Sequence, residues 1–344
     1  MRSRTPWGWA APLLAAIILL AGSARDWTGV RAISPPPLAT ASHLYLVLLP
    51  GLCGYENSDP YCHGQVSASA RARGTFRVLL AAADRAGIHY TVVPYSYDPA
   101  RSTYTVAETH QSVARSVAAL DAQLQRVWNA DPHATFVLVA HSLGGVVAAS
   151  WTVTDARNET GPGSRQALSR VHSIVTYDSP LRGIPAVFSN PIAEAIFGGQ
   201  VLHSLGRNSP TIRAILAFGD PWWRTQAHLH SIANRADRIV TAGEAALGDS
   251  RQVTDRNCPV DLLFIRSCHG AVLSDVALNT FVACNWITNA TQCVTPTATP
   301  TPIPPTATPT ATATTPTPLP SPEVSPTAPP PPTTTPTATV SPTA

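Results

Sequence analysis

The chain has no lysine: all 23 of its basic residues are arginine, set against 20 acidic ones. That absence excludes every mechanism built on an amine side chain, including a Schiff base, a P-loop phosphate grip and a Ser-Lys dyad. Charge of either sign is scarce, at 12% of residues, and the formal net charge is only +3. So small an excess does not hold a polyanion, and nucleic acid is not an expected partner. Cysteines occur, but no C-x-x-C pair does, so neither a metal nor any other cofactor is expected. After residue 20 no run is long and apolar enough for a membrane span, and the body carries no internal repeat.

What is present comes in blocks. Met1-Arg2-Ser3-Arg4 is a basic start, Trp7 to Leu20 is apolar, and Gly22-Ser23-Ala24 offers small residues for cleavage. This reads as an export signal over 1–24, followed by a linker over 25–41. The same apolar stretch is about long enough to serve instead as an uncleaved anchor. Six cysteines, an even number, fit an oxidising compartment. Local spacing suggests Cys53 with Cys62, Cys258 with Cys268, and Cys284 with Cys293. The expected location is therefore outside the cell, with association at a cell surface or membrane interface left open. From Val294 to Ala344 the composition turns to Thr, Pro, Ala and Ser, with Glu323 the only charge. Such a tail cannot bury apolar surface and is expected to stay extended and solvated. One folded domain, 42–293, remains, and it is expected to act as a monomer.

Within that body, apolar runs alternate with helical periodicities. Strands are expected at 43–49, 89–93, 135–139, 171–177 and 229–233, with a weaker sixth at 262–265. Helices are expected at 76–85, 106–128 and 274–285. The alternation predicts an α/β fold: a mostly parallel sheet of about six strands, covered by helices on both faces. Residues 181–225 break the rhythm, with Ile192, Ile212, Ile215, Trp222 and Trp223 set among Gly and Pro. They are expected to form a lid or cap over the end of the sheet. Most of its apolar residues would pack on the body, and a few would line a pocket for an apolar group.

The chemistry starts at Ala140-His141-Ser142-Leu143-Gly144-Gly145, between the strand-like Thr135–Val139 and the helix-like Val146–Ala149. A serine on a sharp strand-to-helix turn needs small neighbours two residues either side, and Ala140 and Gly144 supply them. Its hydroxyl is a weak nucleophile and needs a base, which in turn needs an orienting acid. Among eleven histidines, His269 is the candidate base: it sits late in the chain, in a loop beside Cys268 and before the last helix. His141, next to the serine, is expected to point away from it. Asp237, just after the strand at 229–233, is the candidate acid, and Asp178, ending the preceding strand, is the alternative. Backbone N–H groups of Leu143 and of Leu52, in the loop Pro50-Gly51-Leu52, are the candidate oxyanion donors.

With these pieces the sequence resembles the α/β-hydrolase superfamily, and within it the serine esterases and lipases. The motifs that carry this are L-Y-L-V-L-L-P-G-L at 44–52, F-V-L-V-A-H-S-L-G-G at 136–145, I-V-T-Y-D-S-P-L-R-G at 174–183, R-A-D-R-I-V at 235–240 and C-H-G-A-V-L-S-D at 268–275. Lipase-like and inositol-deacylase-like members look closest. The resemblance implies hydrolysis of a small-molecule or lipid ester through a Ser-His-Asp triad and an acyl-enzyme. An acyltransferase would use identical residues. A surface-binding module without turnover is suggested by the tail and opposed by the intact catalytic set. Ala140 stands for the usual first glycine of the serine motif. Pro50 stands where many relatives carry histidine, which leaves the side-chain support of the oxyanion loop open.

Overall fold

The computed structural model describes residues 43–52, 66–158, 167–185, 200–255 and 268–287. Two units divide the chain, Met1–Thr295 and Pro296–Ala344. The stretches expected to be an export signal, a linker and an extended tail, 1–24, 25–41 and 294–344, lie outside the described residues. So do both members of the pair Cys53–Cys62, together with Cys258 and Cys293. Cys268 and Cys284 are each in a disulfide, and the pairing lies outside the described residues.

Eight strands are described: β1 (His43–Leu49), β2 (Val66–Ser67), β3 (Thr91–Pro94), β4 (Thr103–Tyr104), β5 (Ala134–His141), β6 (Val171–Tyr177), β7 (Leu229–Asn234) and β8 (Asp249–Val253). Six of them form one sheet in the order β3-β1-β5-β6-β7-β8, and every pair is parallel. The near-continuous apolar character of the central strands follows from burial on both faces. In β1, Leu44, Leu46 and Leu48 enter one apolar cluster, while Val47 and Leu49 enter the other. In β5, Val137 and Val139 take the first side, and Phe136, Leu138 and Ala140 take the second.

Helices cover both faces. Helices α1 (Ala68–Thr75) and α2 (Arg77–Arg85) are followed by α3 (Val113–Ala130) and α4 (Leu143–Asn158). Ala72, Leu79 and Ala83 of the first two join the cluster of Leu46, whereas Leu120, Leu124, Val147 and Trp151 of the latter two join that of Val47. The helix expected over 106–128 is broken. A single turn, Val106–Thr109, is closed by a capping box between Thr105 and Glu108, and Ser112 then caps a new helix by accepting from Arg115 N–H. The last helix is likewise split, into a 3-10 turn (Ala271–Ser274), an α-helix (Val276–Val282) and a π-turn (Ala283–Ile287).

The strand expected at 262–265 lies outside the described residues; the sixth described strand of the sheet is β8. Its sequence, Asp-Ser-Arg-Gln-Val, is polar because an edge strand pairs on one side only and stays half exposed. The stretch 181–225 packs several apolar residues on the body, as expected for most of them. Its described helices, α5 (Gln200–Leu205), α6 (Pro210–Leu216) and α7 (Gly219–Thr225), send Ile212, Ile215 and Trp223 into the main core. Helix α6 packs on α4. A cavity of about 650 Å³ runs along α3, α4 and α6, lined by Val117, Trp151 and Ala214 among others, and none of Ser142, Asp237 and His269 lines it.

Candidate active site

Strand β5 ends at His141 and α4 begins at Leu143, so Ser142 sits alone in the turn between them. Its φ of 53° is left-handed, a strained setting for a residue with a side chain. Two backbone bonds hold it: its N–H donates to Tyr177 O at 3.0 Å, and its carbonyl accepts from Gly145 N–H at 3.1 Å. Glycine at 144 is required by close approach, since a Cβ there would lie 2.2 Å from Leu49 O. The helix thus starts hard against β1, and the serine is presented at the carboxyl edge of the sheet.

Asp237 follows the end of β7 and its side chain is fully buried, at 0% exposure. Its Oδ1 accepts from the N–H groups of Ile239 at 2.7 Å and Val240 at 3.1 Å, which fixes the carboxylate plane and leaves Oδ2 to aim elsewhere. That oxygen lies 2.7 Å from His269 Nδ1, and His269 Nε2 lies 2.8 Å from Ser142 Oγ. Three side chains from separate loops therefore form one unbroken chain of hydrogen bonds. Burial by itself would lower the His269 pKa. The hydrogen bond to Asp237, with the negative fields of Asp237 and Asp178, outweighs it and raises the value above 6.5.

Asp178, the alternative acid, takes a different place. It is fully buried with a left-handed φ of 43°, and its carboxylate accepts from Asn234 N–H at 2.8 Å and Gly270 N–H at 3.3 Å. Its oxygens serve the end of β7 and the residue that follows the imidazole, while Asp237 serves the ring. Burial pushes the Asp178 carboxyl up to about 7; Asp237 adds to this, and His269 opposes it. The ligand-type atoms of Asp178, Asp237 and His269 all lie within 4.8 Å of one another. Those atoms already make hydrogen bonds, between Asp237 and the ring on one side and from backbone N–H groups to Asp178 on the other.

Both oxyanion candidates flank the serine. Leu143 is the first residue of α4, where backbone N–H groups lack an acceptor within the helix and favour negative charge. Leu52 follows Gly51, where a Cβ would lie 2.7 Å from Ser142 Cβ, so the loop can approach Ser142 only with glycine there. The Leu52 side chain packs on the main core.

His141 turns out to be part of the site. Its ring centroid lies 4.9 Å from that of His269, tilted by 40°. Its Nε2 is buried with no hydrogen-bond partner among the described residues. Burial first, then the nearby His269 and Arg71, hold its pKa well below the usual value, so the ring beside His269 stays neutral. Adjacency to the serine was its only signal in the sequence, and adjacency does not reveal ring packing.

A parallel sheet, a strained strand–serine–helix turn and the chain order Ser, Asp, His at its carboxyl edge define the α/β-hydrolase fold. No protein-family model and no curated protein matches the chain. Solved structures similar to it include the Bacillus licheniformis lipase BlEst2 in mature form, at 14% identity and TM-score 0.41, covering 68% of this chain and 89% of that one. A metagenomic carboxyl esterase is similar at 16% identity and TM-score 0.42, over 71% of this chain and 76% of that one. A cutinase-like protein from Cryptococcus sp. is similar at 13% identity and TM-score 0.37, over 72% and 96%. The fold assignment stands on the topology and the serine turn rather than on these likenesses.

Proposed function

We propose that the chain is an exported serine hydrolase that cleaves carboxylic esters. The observation that carries this is the continuous bond path from Ser142 Oγ through the His269 ring to Asp237 Oδ2, at 2.8 and 2.7 Å. Neutral His269 holds its proton on Nδ1, donated to Asp237, which leaves Nε2 free to accept the Ser142 hydroxyl proton as Oγ attacks the ester carbonyl. The imidazolium formed is stabilised by Asp237 and passes its proton to the leaving alcohol. Water then enters by the same route, loses a proton to His269 and releases the acid from the acyl-serine. The tetrahedral oxyanion is met by the N–H groups of Leu143 and Leu52. The basic–apolar–small start and the even cysteine count support action outside the cell. The substrate class is a small-molecule or lipid ester.

A panel of p-nitrophenyl esters of rising acyl length, run on wild type and Ser142→Ala, tests the reading. Turnover by wild type that Ser142→Ala abolishes is the expected result. No turnover of any ester by folded wild type, or equal turnover by the variant, would overturn it. Adding acceptor alcohols to the same assay separates hydrolysis from acyl transfer.

A further inference from the structure

The oxyanion loop poses a mechanical problem. Its donor must be fixed before the transition state forms, yet the peptide that carries it follows a glycine, whose φ and ψ are soft. Pro50 ahead of that glycine has no N–H, so its carbonyl is the one backbone hydrogen-bonding group it offers. That carbonyl accepts a hydrogen bond of 2.9 Å from the hydroxyl of Tyr97, a buried residue 47 positions away in sequence.

We propose that Tyr97 is the positioning residue of the oxyanion loop, holding the Pro50–Gly51 peptide plane from which the Leu52 N–H is aimed. This rests on the ester-hydrolase reading of the site. Tyr97 is itself immobilised from several directions. Its ring meets Tyr95 edge-on at 4.7 Å and 65°, and Tyr104 at 5.7 Å and 69°. Its backbone carbonyl accepts from Gln111 Nε2 at 2.8 Å. Burial raises the phenol pKa, so the hydroxyl remains a donor across any working pH. Downstream of the glycine the loop is fixed a second time, because the Leu52 side chain packs on the core. Gly51 is thus a soft joint clamped on both sides, and the Tyr97 hydroxyl is the upstream clamp. It takes the place of the side-chain support that Pro50 cannot give.

Tyr97→Phe removes the clamp and little else. The internal control is Tyr95→Phe: it keeps the ring that packs on Tyr97 and removes only a buried hydroxyl that donates to Ser116 O at 2.8 Å, away from the loop. Steady-state kinetics on a short p-nitrophenyl ester and affinity for an alkyl boronic acid, which forms a tetrahedral adduct, are measured for both. Tyr97→Phe is expected to lower kcat about ten- to a hundredfold, to leave KM within about twofold, and to weaken boronate binding by a factor like that in kcat. Its acid limb in the pH profile stays where it is in wild type, because His269 and Asp237 are untouched. Tyr95→Phe is expected to keep wild-type kcat. Gln111→Leu frees the Tyr97 carbonyl while leaving the ring in place and is expected to give a smaller fall of the same pattern, so the test survives if Tyr97→Phe does not fold. Wild-type kcat in Tyr97→Phe, or equal losses in both tyrosine variants, overturns the positioning role alone. A wild type inert towards every ester and towards fluorophosphonates overturns the hydrolase reading and this role with it.

Discussion

Two His–Asp pairs, one buried and one half-exposed, lie at opposite ends of one strand and behave in opposite ways. Beyond the carboxyl end of β7, His269 Nδ1 lies 2.7 Å from Asp237, and near its amino end His230 Nδ1 lies 3.1 Å from Asp249. The His269 pKa is raised, whereas that of His230 is lowered. For both rings burial is the first influence and favours the neutral form. What differs is the surroundings. Asp237 has 0% side-chain exposure and is reinforced by Asp178, while Asp249 is 51% exposed and its field is diluted by water. His230 has His228 as an electrostatic neighbour and stacks on Trp286 at 4.6 Å and 14°. In this molecule a His–Asp contact raises the imidazole pKa only where the carboxylate is desolvated, and only that ring also faces a serine hydroxyl.

The largest break in the comparison comes from deleting the groups that are present at one pair alone. Ser142→Ala and His269→Gln are each expected to lower kcat/KM by about 10⁴-fold or more, while His230→Gln stays within about twofold of wild type. Next, Asp237→Asn is expected to cost about 10³- to 10⁴-fold and Asp249→Asn nothing measurable, by the same ester assay. The acid limb of the wild-type pH–rate profile should have its midpoint above the usual histidine value, because catalysis needs His269 neutral. In Asp237→Asn the limb moves to lower pH, since the main group raising that pKa is gone.

Smaller effects concern stability. Asp178 is held near 7 in the folded state against an ordinary value of about 4, so the native state carries the extra proton between those limits. Stability that Asp178 supplies at low pH is lost as pH rises through that window. Asp178→Asn should therefore raise Tm relative to wild type near pH 8, with the gain vanishing below about pH 4 in a thermal-melt series. The amino-end histidines work in the opposite sense. His172, His228 and His230 all have pKa values lowered by burial, so the fold is penalised when they must charge. Wild type should lose stability as pH falls below about 6.5, and His230→Gln should make that fall slightly shallower.

How much of this was legible in the sequence depended on how local each signal was. β1, β5, β6 and β7 stood out because burial on both faces demands a continuous apolar run. β8 did not, because an edge strand needs only backbone pairing and its Arg251 and Gln252 read as loop. Ser142 was legible because the constraint is packed into six residues, 140–145, whose small side chains the turn requires. His269 and Asp237 followed from that turn by chain order. Asp178 was visible as a carboxylate in a plausible place, but only its bonds to Asn234 and Gly270 distinguish a brace between β7 and Gly270 from the acid on the ring. Tyr97 and His141 were opaque for the same reason. Their roles arise from contacts with Pro50 and His269, and no local spacing encodes contacts across so many residues.

The central claim is that Ser142 is activated by His269 and by no other histidine. Treating folded protein with a fluorophosphonate and mapping the adduct by peptide mass spectrometry tests it directly. One adduct is expected, on Ser142, formed at the wild-type rate in His230→Gln and abolished in His269→Gln. An unmodified Ser142 in folded wild type, or labelling that persists undiminished without the His269 imidazole, would contradict it.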